Sequence, residues 1–482
     1  MTTNLMDGLR VHNAKNLIES FNYPSNEPRA YIFVGKTTPW DNDREPPVPQ
    51  NDVEEQIEAH NQMLSCIRIN KDDAFPMIRR KTWTQNIVYD YYSQDISVET
   101  PAYSGAVSLK ESNYYVINSQ RDVFVCLDNN QGSLSVDEPL NRTGDPFLTA
   151  DGYQWMLLYS LNTVLNTSYT TDNFIPVVDT FDPRQAGEIN TIIIKDNGTD
   201  YTDLPEGVAS RVRAYYCPVD GDGTGAVAKV HVDGTTISKV EVVRKGQLYA
   251  HAQLNFVQGN VYKSLYDLDN NQSALNPEGN GDFRTKVIIS PVSGWRFNLP
   301  LQLVATDVGV FSQLKFDTPD FVTDIEFRQI GIIQDPVITI TEDLSTLSAL
   351  FAVKVIDSSD GDFVLGEEIV QINSKGEARG TIVYWNKDEE VIMYYQDYEE
   401  HNVNGVITPF AEGGNNIVGG SSGKAVNPNT AYSGNINSRE YVNGYGYPEF
   451  IKNSGVITYL ANLRPIRRDE RKSEKLSIII NF

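Results

Sequence analysis

Asp220-Gly-Asp-Gly-Thr-Gly-Ala-Val-Ala-Lys-Val-His-Val-Asp-Gly234, followed by Ile237-Ser-Lys-Val-Glu-Val-Val243 and Gly246-Gln-Leu-Tyr249, alternates short apolar runs with glycine turns. Asp-Gly steps bring the chain round sharply because glycine accepts the positive φ that such turns need. The runs between them are of strand length and rich in valine, so the stretch reads as strand, tight turn, strand. Asp220 and Asp222 could also open a calcium loop, since carboxylates at its first and third positions supply hard oxygen ligands. The position that should then carry a bidentate glutamate holds His231, and strands flank the site. The hairpin reading prevails.

The same pattern runs through the chain. Tyr31–Val34, Asp122–Leu127, Asn190–Lys195, Lys286–Ser290 and Leu476–Phe482 are apolar runs of strand length, separated by Gly, Asn, Asp and Pro turns. Two segments read as helix. Leu9 to Phe21 is amphipathic but short. In Asp52 to Ile67, Asp52 can cap, Glu54 and Glu55 suit the first turn, and Val53, Ile57, His60 and Leu64 recur at helical spacing. The expected fold is mainly β with minor α and multidomain: a core domain drawn from both chain ends, carrying inserted β-sandwich or barrel-like modules. The expected division is a core over 1–184 with its helix at 52–67, a Gly-rich β module over 185–258, a core segment over 259–343, a second β module over 344–455, and returning strands over 456–482.

Composition narrows function. The chain has 482 residues, 40% of them hydrophobic, enough for a large buried core, and 64 acidic against 40 basic side chains give a net charge of -24. The acids are dispersed, so most form a solvated face that repels phosphate backbones, and no nucleic-acid partner is expected. No apolar run approaches the roughly 18 residues of a membrane span, and the start lacks a secretory signal, so no membrane partner is expected and synthesis in a reducing cytoplasm is. Cys66, Cys126 and Cys217 are sparse, odd in number and unsuited by spacing to a metal or redox pair.

Chemistry-bearing motifs are near misses. Gly419-Gly-Ser-Ser-Gly-Lys-Ala425 resembles a phosphate loop, but Val418 stands where glycine is needed and Ala425 where a magnesium-binding hydroxyl is needed. There is no Gly-x-Ser-x-Gly elbow and no His-Glu-x-x-His helix. Carboxylate pairs for glycoside hydrolysis occur by chance in so acidic a chain. No catalytic residue, metal ligand or cofactor is assigned, and the chain is expected to be non-enzymatic.

A series of landmarks carries more information than any one of them: Tyr31-Ile-Phe-Val-Gly-Lys-Thr-Thr-Pro-Trp40, Ile78-Arg-Arg-Lys-Thr-Trp83, Val123-Phe-Val-Cys-Leu-Asp128, Asp151-Gly-Tyr-Gln-Trp-Met-Leu-Leu-Tyr159, Phe327-Arg-Gln-Ile-Gly-Ile-Ile333, and Gly455-Val-Ile-Thr-Tyr-Leu-Ala-Asn-Leu-Arg-Pro-Ile466 running to Phe482. In this order they resemble the gene-eight type baseplate wedge subunit of T-even-like contractile-tailed phages, over about residues 25–180, 285–335 and the C-terminal stretch. The two β modules have no counterpart in that resemblance. It implies a structural virion protein of the tail baseplate, assembled in the host cytoplasm. Its implied partners are itself, as a homodimer, other baseplate wedge proteins and, through the inserted modules, tail-fibre or peripheral baseplate proteins. It also implies rearrangement when the tail contracts. Interfaces of this kind use aromatic and arginine anchors, which makes Trp40, Arg79, Arg80, Trp83, Arg464, Arg467 and Arg468 the interface candidates. The rivals are a receptor- or glycan-binding tail protein and a tail-borne polysaccharide-degrading enzyme. On physical grounds alone, Tyr153, Trp155, Leu157 and Tyr159 are expected to share one strand face.

Overall fold

The computed structural model describes residues 2–21, 29–50, 52–178, 185–201, 212–272, 274–275, 282–291, 293–315, 320–340, 344–358, 360–437, 439–469 and 471–482. The chain forms two compact units: Met1–Leu17, Phe75–Gly309 and Ile479–Phe482 make one, and Ile18–Ala74 with Val310–Ile478 makes the other. The protein is mainly β with minor helix and contains several sheets, one of them closed into a barrel. The N-terminal helix runs from Thr2 to Ser20, starting before the Leu9 expected from its pattern, and it buries Val11 and Ala14.

In the first unit, Tyr115–Ile117, Asp122–Asp128, Gln154–Ser160 and Phe147–Leu148 form a four-stranded sheet in that order. Successive side chains of a strand point to opposite faces. Val123, Val125 and Leu127 therefore join one cluster with Tyr114, Met156 and Trp295, while Phe124 and Cys126 join Tyr89, Tyr153 and Trp155 on the other. The expected shared face breaks at Tyr159. Tyr153, Trp155 and Leu157 lie together, but the register slips between Val123 and Phe124, and Tyr159 packs with the opposite cluster. A bulge in the ladder re-aims the side chains beyond it.

The module opened by the quoted stretch pairs Thr236–Arg244, Val227–Asp233, Val212–Gly221 and Ala252–Leu254 in that order. Ile189–Asp196 pairs separately with Arg284–Ile289. The module's apolar cluster runs on to Leu275, Phe283 and Val287, beyond residue 258. Gly221 is required at its position, because a Cβ there would meet the His251 carbonyl oxygen at 2.1 Å.

The second unit is built on a five-stranded antiparallel sheet ordered Thr346–Ser348, Met63–Arg68, Ala30–Gly35, Glu326–Gln334, Val456–Arg467. The helix expected over 52–67 needs correction. Asp52 does cap it, accepting the Glu55 N–H, but the helix is Val53–Asn61 and Met63–Arg68 is a strand. That strand pairs on both edges and its Met63, Leu64 and Cys66 are essentially inaccessible. Pairing on both sides overrides the local helical pattern. The module boundary at 344 needs correction for the same reason, since Thr346–Ser348 is a strand of this sheet.

Beyond it, six strands close into a barrel. Phe351–Ile356 pairs with Val391–Tyr395 on one side and Ala425–Pro428 on the other, and Gly376–Asn386, Glu368–Asn373 and Ile417–Gly419 complete the circuit. Val353, Ile369, Ala378, Ile382, Ile392 and Ile417 fill its interior.

Candidate functional site

The interface candidates divide between the units. In the first, Arg79 and Arg80 are exposed, with the Arg79 guanidinium 5.8 Å from the Phe174 ring centre. Trp83 is half-buried and donates its Nε1–H to Ser135 Oγ at 3.2 Å. In the second, Trp40 and Arg464 come together along the Val456–Arg467 edge strand. Trp40 Nε1 donates to the Leu463 carbonyl at 3.1 Å and Arg464 Nε to the Arg44 carbonyl at 3.0 Å. Arg467 is exposed and pairs with Asp324 at 2.8 Å. Arg468 is a correction: it is 2% exposed, and its guanidinium donates to the Phe321 and Lys315 carbonyls, so it cannot face a neighbour.

What fixes the Trp40 loop is a residue the sequence left unassigned. Arg328, 3% exposed, donates through Nε and Nη2 to the two Asp43 carboxylate oxygens, both at 2.9 Å, and through Nη1 to the Thr37 carbonyl at 2.7 Å. A planar guanidinium matches a carboxylate in this two-pronged way, which fixes orientation as well as distance. The bond from Arg328 holds the Asp43 carboxyl below its ordinary range. In the sequence Arg328 shows only as an arginine set, with Gln329, between the apolar Phe327 and Ile330 of a strand run.

The near-motifs resolve into internal clasps. The phosphate-loop lookalike is already wrapped around an anion of the chain itself: Ser421 N–H, Ser422 N–H and Ser422 Oγ–H all donate to the Glu367 carboxylate at 2.7 Å. Lys424, which would reach a phosphate, instead pairs with Asp357 at 3.0 Å and the Gly361 carbonyl at 2.8 Å. In the calcium lookalike, Asp222 accepts the Ala250 and His251 N–H groups, both at 2.9 Å, while Asp220 accepts from Asn255. The two carboxylates are spent on different neighbours. His231, at the glutamate position, bonds Glu241 at 3.0 Å. Asp90 likewise gathers Ser104, Ser112 and Asn113, and Asp151 gathers Val136 and Asp137.

Among the described residues, one set of side chains could hold a metal ion: Asp397, Glu400 and His401, with ligand atoms within 4.8 Å of one another. Two of the three are already engaged. His401 Nδ1 lies 3.1 Å from Asp397 Oδ1, and Nε2 lies 2.9 Å from Thr381 Oγ. Gln62 donates to the second Asp397 oxygen at 3.3 Å, and the Glu400 N–H donates to the first at 2.8 Å. Burial pushes the Asp397 carboxyl upward, but His401 and these donors outweigh it and hold it below its ordinary range. This order of acid, imidazole and hydroxyl matches the geometry of a nucleophile relay. Thr381, His401 and Asp397 are nevertheless each at least nine-tenths buried, and their polar atoms satisfy one another. The arrangement locks the short helix Tyr398–His401 in place.

Cys66, Cys126 and Cys217 are free and buried, and burial pushes the Cys217 thiol up to about 12, far from the thiolate a reactive site needs.

His60 offers a pH test in the same unit. It is 6% exposed, and its Nδ1 meets no partner among the described residues. Burial first, and the Lys452 charge second, hold its pKa below the ordinary value. The unfolded chain therefore takes up a proton at higher pH than the folded one. Its contribution to stability should be whole above about pH 6.5 and should drain away as pH falls towards the folded-state value. Denaturant midpoints at pH 7.5 and 5.5 should separate further for the native chain than for His60→Met; equal separations would contradict this.

The fold defines a multidomain β protein in which the carboxylates of Glu367, Asp222, Asp90, Asp151 and Asp397 accept hydrogen bonds from loop and turn groups. Compared with family models and with curated proteins, the sequence matches none.

Proposed function

We propose that this chain is a structural component of a phage tail baseplate wedge. It would act as a dimeric scaffold that contacts other wedge proteins and takes part in baseplate assembly and in rearrangement on tail contraction. The observation that supports this best is where the sequence landmarks lie. Tyr31–Trp40, Phe327–Ile333 and Gly455–Ile466 are far apart in the chain, yet their strands Ala30–Gly35, Glu326–Gln334 and Val456–Arg467 are immediate neighbours in one sheet. Val123–Asp128 and Asp151–Tyr159 likewise pair with each other. A resemblance that falls on adjoining core strands is what a shared framework would leave behind.

The test is immunogold labelling of intact particles with antibody against this chain, beside sedimentation of the purified protein. Gold at the tail baseplate and a dimer in solution are expected. Label confined to the head, or a monomer across micromolar concentrations, would remove the reading. A glycan-binding role has one observation in its favour, a cleft of about 680 Å³ in the first unit lined by Asn190, Thr191, Gln154, Asp128 and Glu241. Binding of the intact chain to a glycan array, lost on Asn190→Leu, would favour it instead.

A further inference from the structure

Lys424 and Asp357 stand apart from the other ion pairs of the chain. Among the described residues they are the one lysine–carboxylate pair in which both side chains are buried, at 1% and 6% exposure. Local structure brings them together. Asp357 directly follows the strand Phe351–Ile356, and Lys424 directly precedes the strand Ala425–Pro428. Those two strands pair at only two positions, Val355 with Pro428 and Ile356 with Asn427, so the contact lies beside one of the short ladders that close the barrel.

Lys424 Nζ lies 3.0 Å from each Asp357 carboxylate oxygen and donates to the Gly361 carbonyl at 2.8 Å. Equal distances to the two oxygens put Nζ within about 3.5 Å of the carboxyl carbon, the spacing of reactants in a near-attack arrangement. The rings of Phe363 and Trp385 stand over the lysine, their centres 5.9 and 5.5 Å from Nζ, and pack edge to face against each other. An amine held against a carboxyl carbon in one orientation acts at a very high effective concentration. Taking two opposite charges out of water is costly, whereas an amide in their place carries no charge and keeps an N–H for the Gly361 carbonyl. Reversal by hydrolysis needs water at that carbon, which burial denies.

We propose that Lys424 and Asp357 join in an isopeptide bond, a covalent staple across the closure of the barrel. Within the pair, one ammonium proton passes to a carboxylate oxygen, leaving a neutral amine beside a neutral acid. The amine then attacks the carboxyl carbon. The Nζ–Cγ bond forms, the Cγ–O bond to the protonated oxygen breaks, and that oxygen leaves as water with a second proton from nitrogen. The step consumes no oxidant, reductant or other reactant. It stands without the baseplate reading and would survive its failure.

The test is the intact mass of the purified full chain under denaturing conditions, followed by tryptic peptide mapping. The native chain is expected to be one water, about 18 Da, lighter than its sequence, and to yield a branched peptide joining the Asp357 and Lys424 segments. Lys424→Arg keeps the positive charge but cannot form this amide, and it should show the full sequence mass and no branched peptide. Asp357→Ala should do the same. The branched peptide is read from the native chain, so the result holds even where a variant fails to fold. A native chain at its full sequence mass overturns the proposal and leaves a buried ion pair. A loss of water that persists in Lys424→Arg also overturns it, since the loss then belongs to a cyclised Asp-Gly step such as Asp360-Gly361.

Discussion

Removing Leu344–Gly455 and joining the ends with a short Gly/Ser linker is expected to give protein that aggregates and shows no cooperative melt. From the sequence alone this stretch looks like a self-contained insertion whose loss should leave a folded core. The structure reverses that expectation. Thr346–Ser348 is the strand that covers one edge of Met63–Arg68, and Leu347, Ala349 and Phe450 are buried in the same cluster as Tyr31, Phe33 and Met63. The linker itself is cheap, since loop closure changes by only about 0.6 kcal/mol per doubling of length. The loss lies in the core: truncating one buried phenylalanine alone costs about 3–5 kcal/mol, against a total stability of about 5–15 kcal/mol. The deletion would also bare the edge of Met63–Arg68 as a template for pairing between molecules. Soluble fraction and a thermal melt check the result, and a soluble, cooperatively melting product would show that the sheet does not need its outer strand.

Much of the fold was legible because strand periodicity and Gly-Asp turns are local signals. The hairpin of Val227–Asp233 and Thr236–Arg244 follows directly from its valines and its Asp233-Gly234 step. Readings failed where distant residues decide. Met63–Arg68 carries a helical pattern, and only the strands on either side of it, Ala30–Gly35 and Thr346–Ser348, make it a strand. Tyr159 changes face because of a register slip that no residue in its own strand announces. Arg468 sits in a basic cluster that looks solvated, yet it is drawn inside by the carbonyls of Phe321 and Lys315. The clasps were invisible for the same reason. Asp397 and His401 are four apart, a local spacing, but Gln62 and Thr381 are supplied by other strands and turns.

The Asp397 network should prove the most expensive of these clasps to break. Its carboxylate is fully buried, accepts from Glu400 N–H at 2.8 Å and from Gln62 Nε2 at 3.3 Å, and lies 3.1 Å from His401 Nδ1, which the Asp397 backbone N–H also meets at 3.1 Å. Replacing it by alanine removes a helix cap, worth about 1 kcal/mol, and leaves a buried imidazole and a buried amide facing an empty space. Hydrogen bonds to a charged group contribute about 1.5–3 kcal/mol each, so Asp397→Ala is expected to cost about 3–5 kcal/mol at pH 7, in the range found for breaking buried charge pairs. Asp397→Asn keeps an oxygen for the cap and should cost clearly less. The pH dependence separates this site from His60. The Asp397 carboxyl is held below its ordinary range when folded, so at acid pH the unfolded chain binds the proton first. Its contribution is therefore complete above about pH 3.9 and disappears as pH falls through the folded-state value. Between pH 4.5 and 7 the penalty of Asp397→Ala should stay nearly constant, whereas the His60 effect moves within that window. Urea denaturation of the native chain, Asp397→Ala and Thr381→Val, singly and together, measures the coupling directly. A cycle with strong coupling marks a single network running from hydroxyl through imidazole to carboxylate. Additive losses would mean that Asp397 acts only as a cap, and that the imidazole and the Thr381 hydroxyl are held by packing alone.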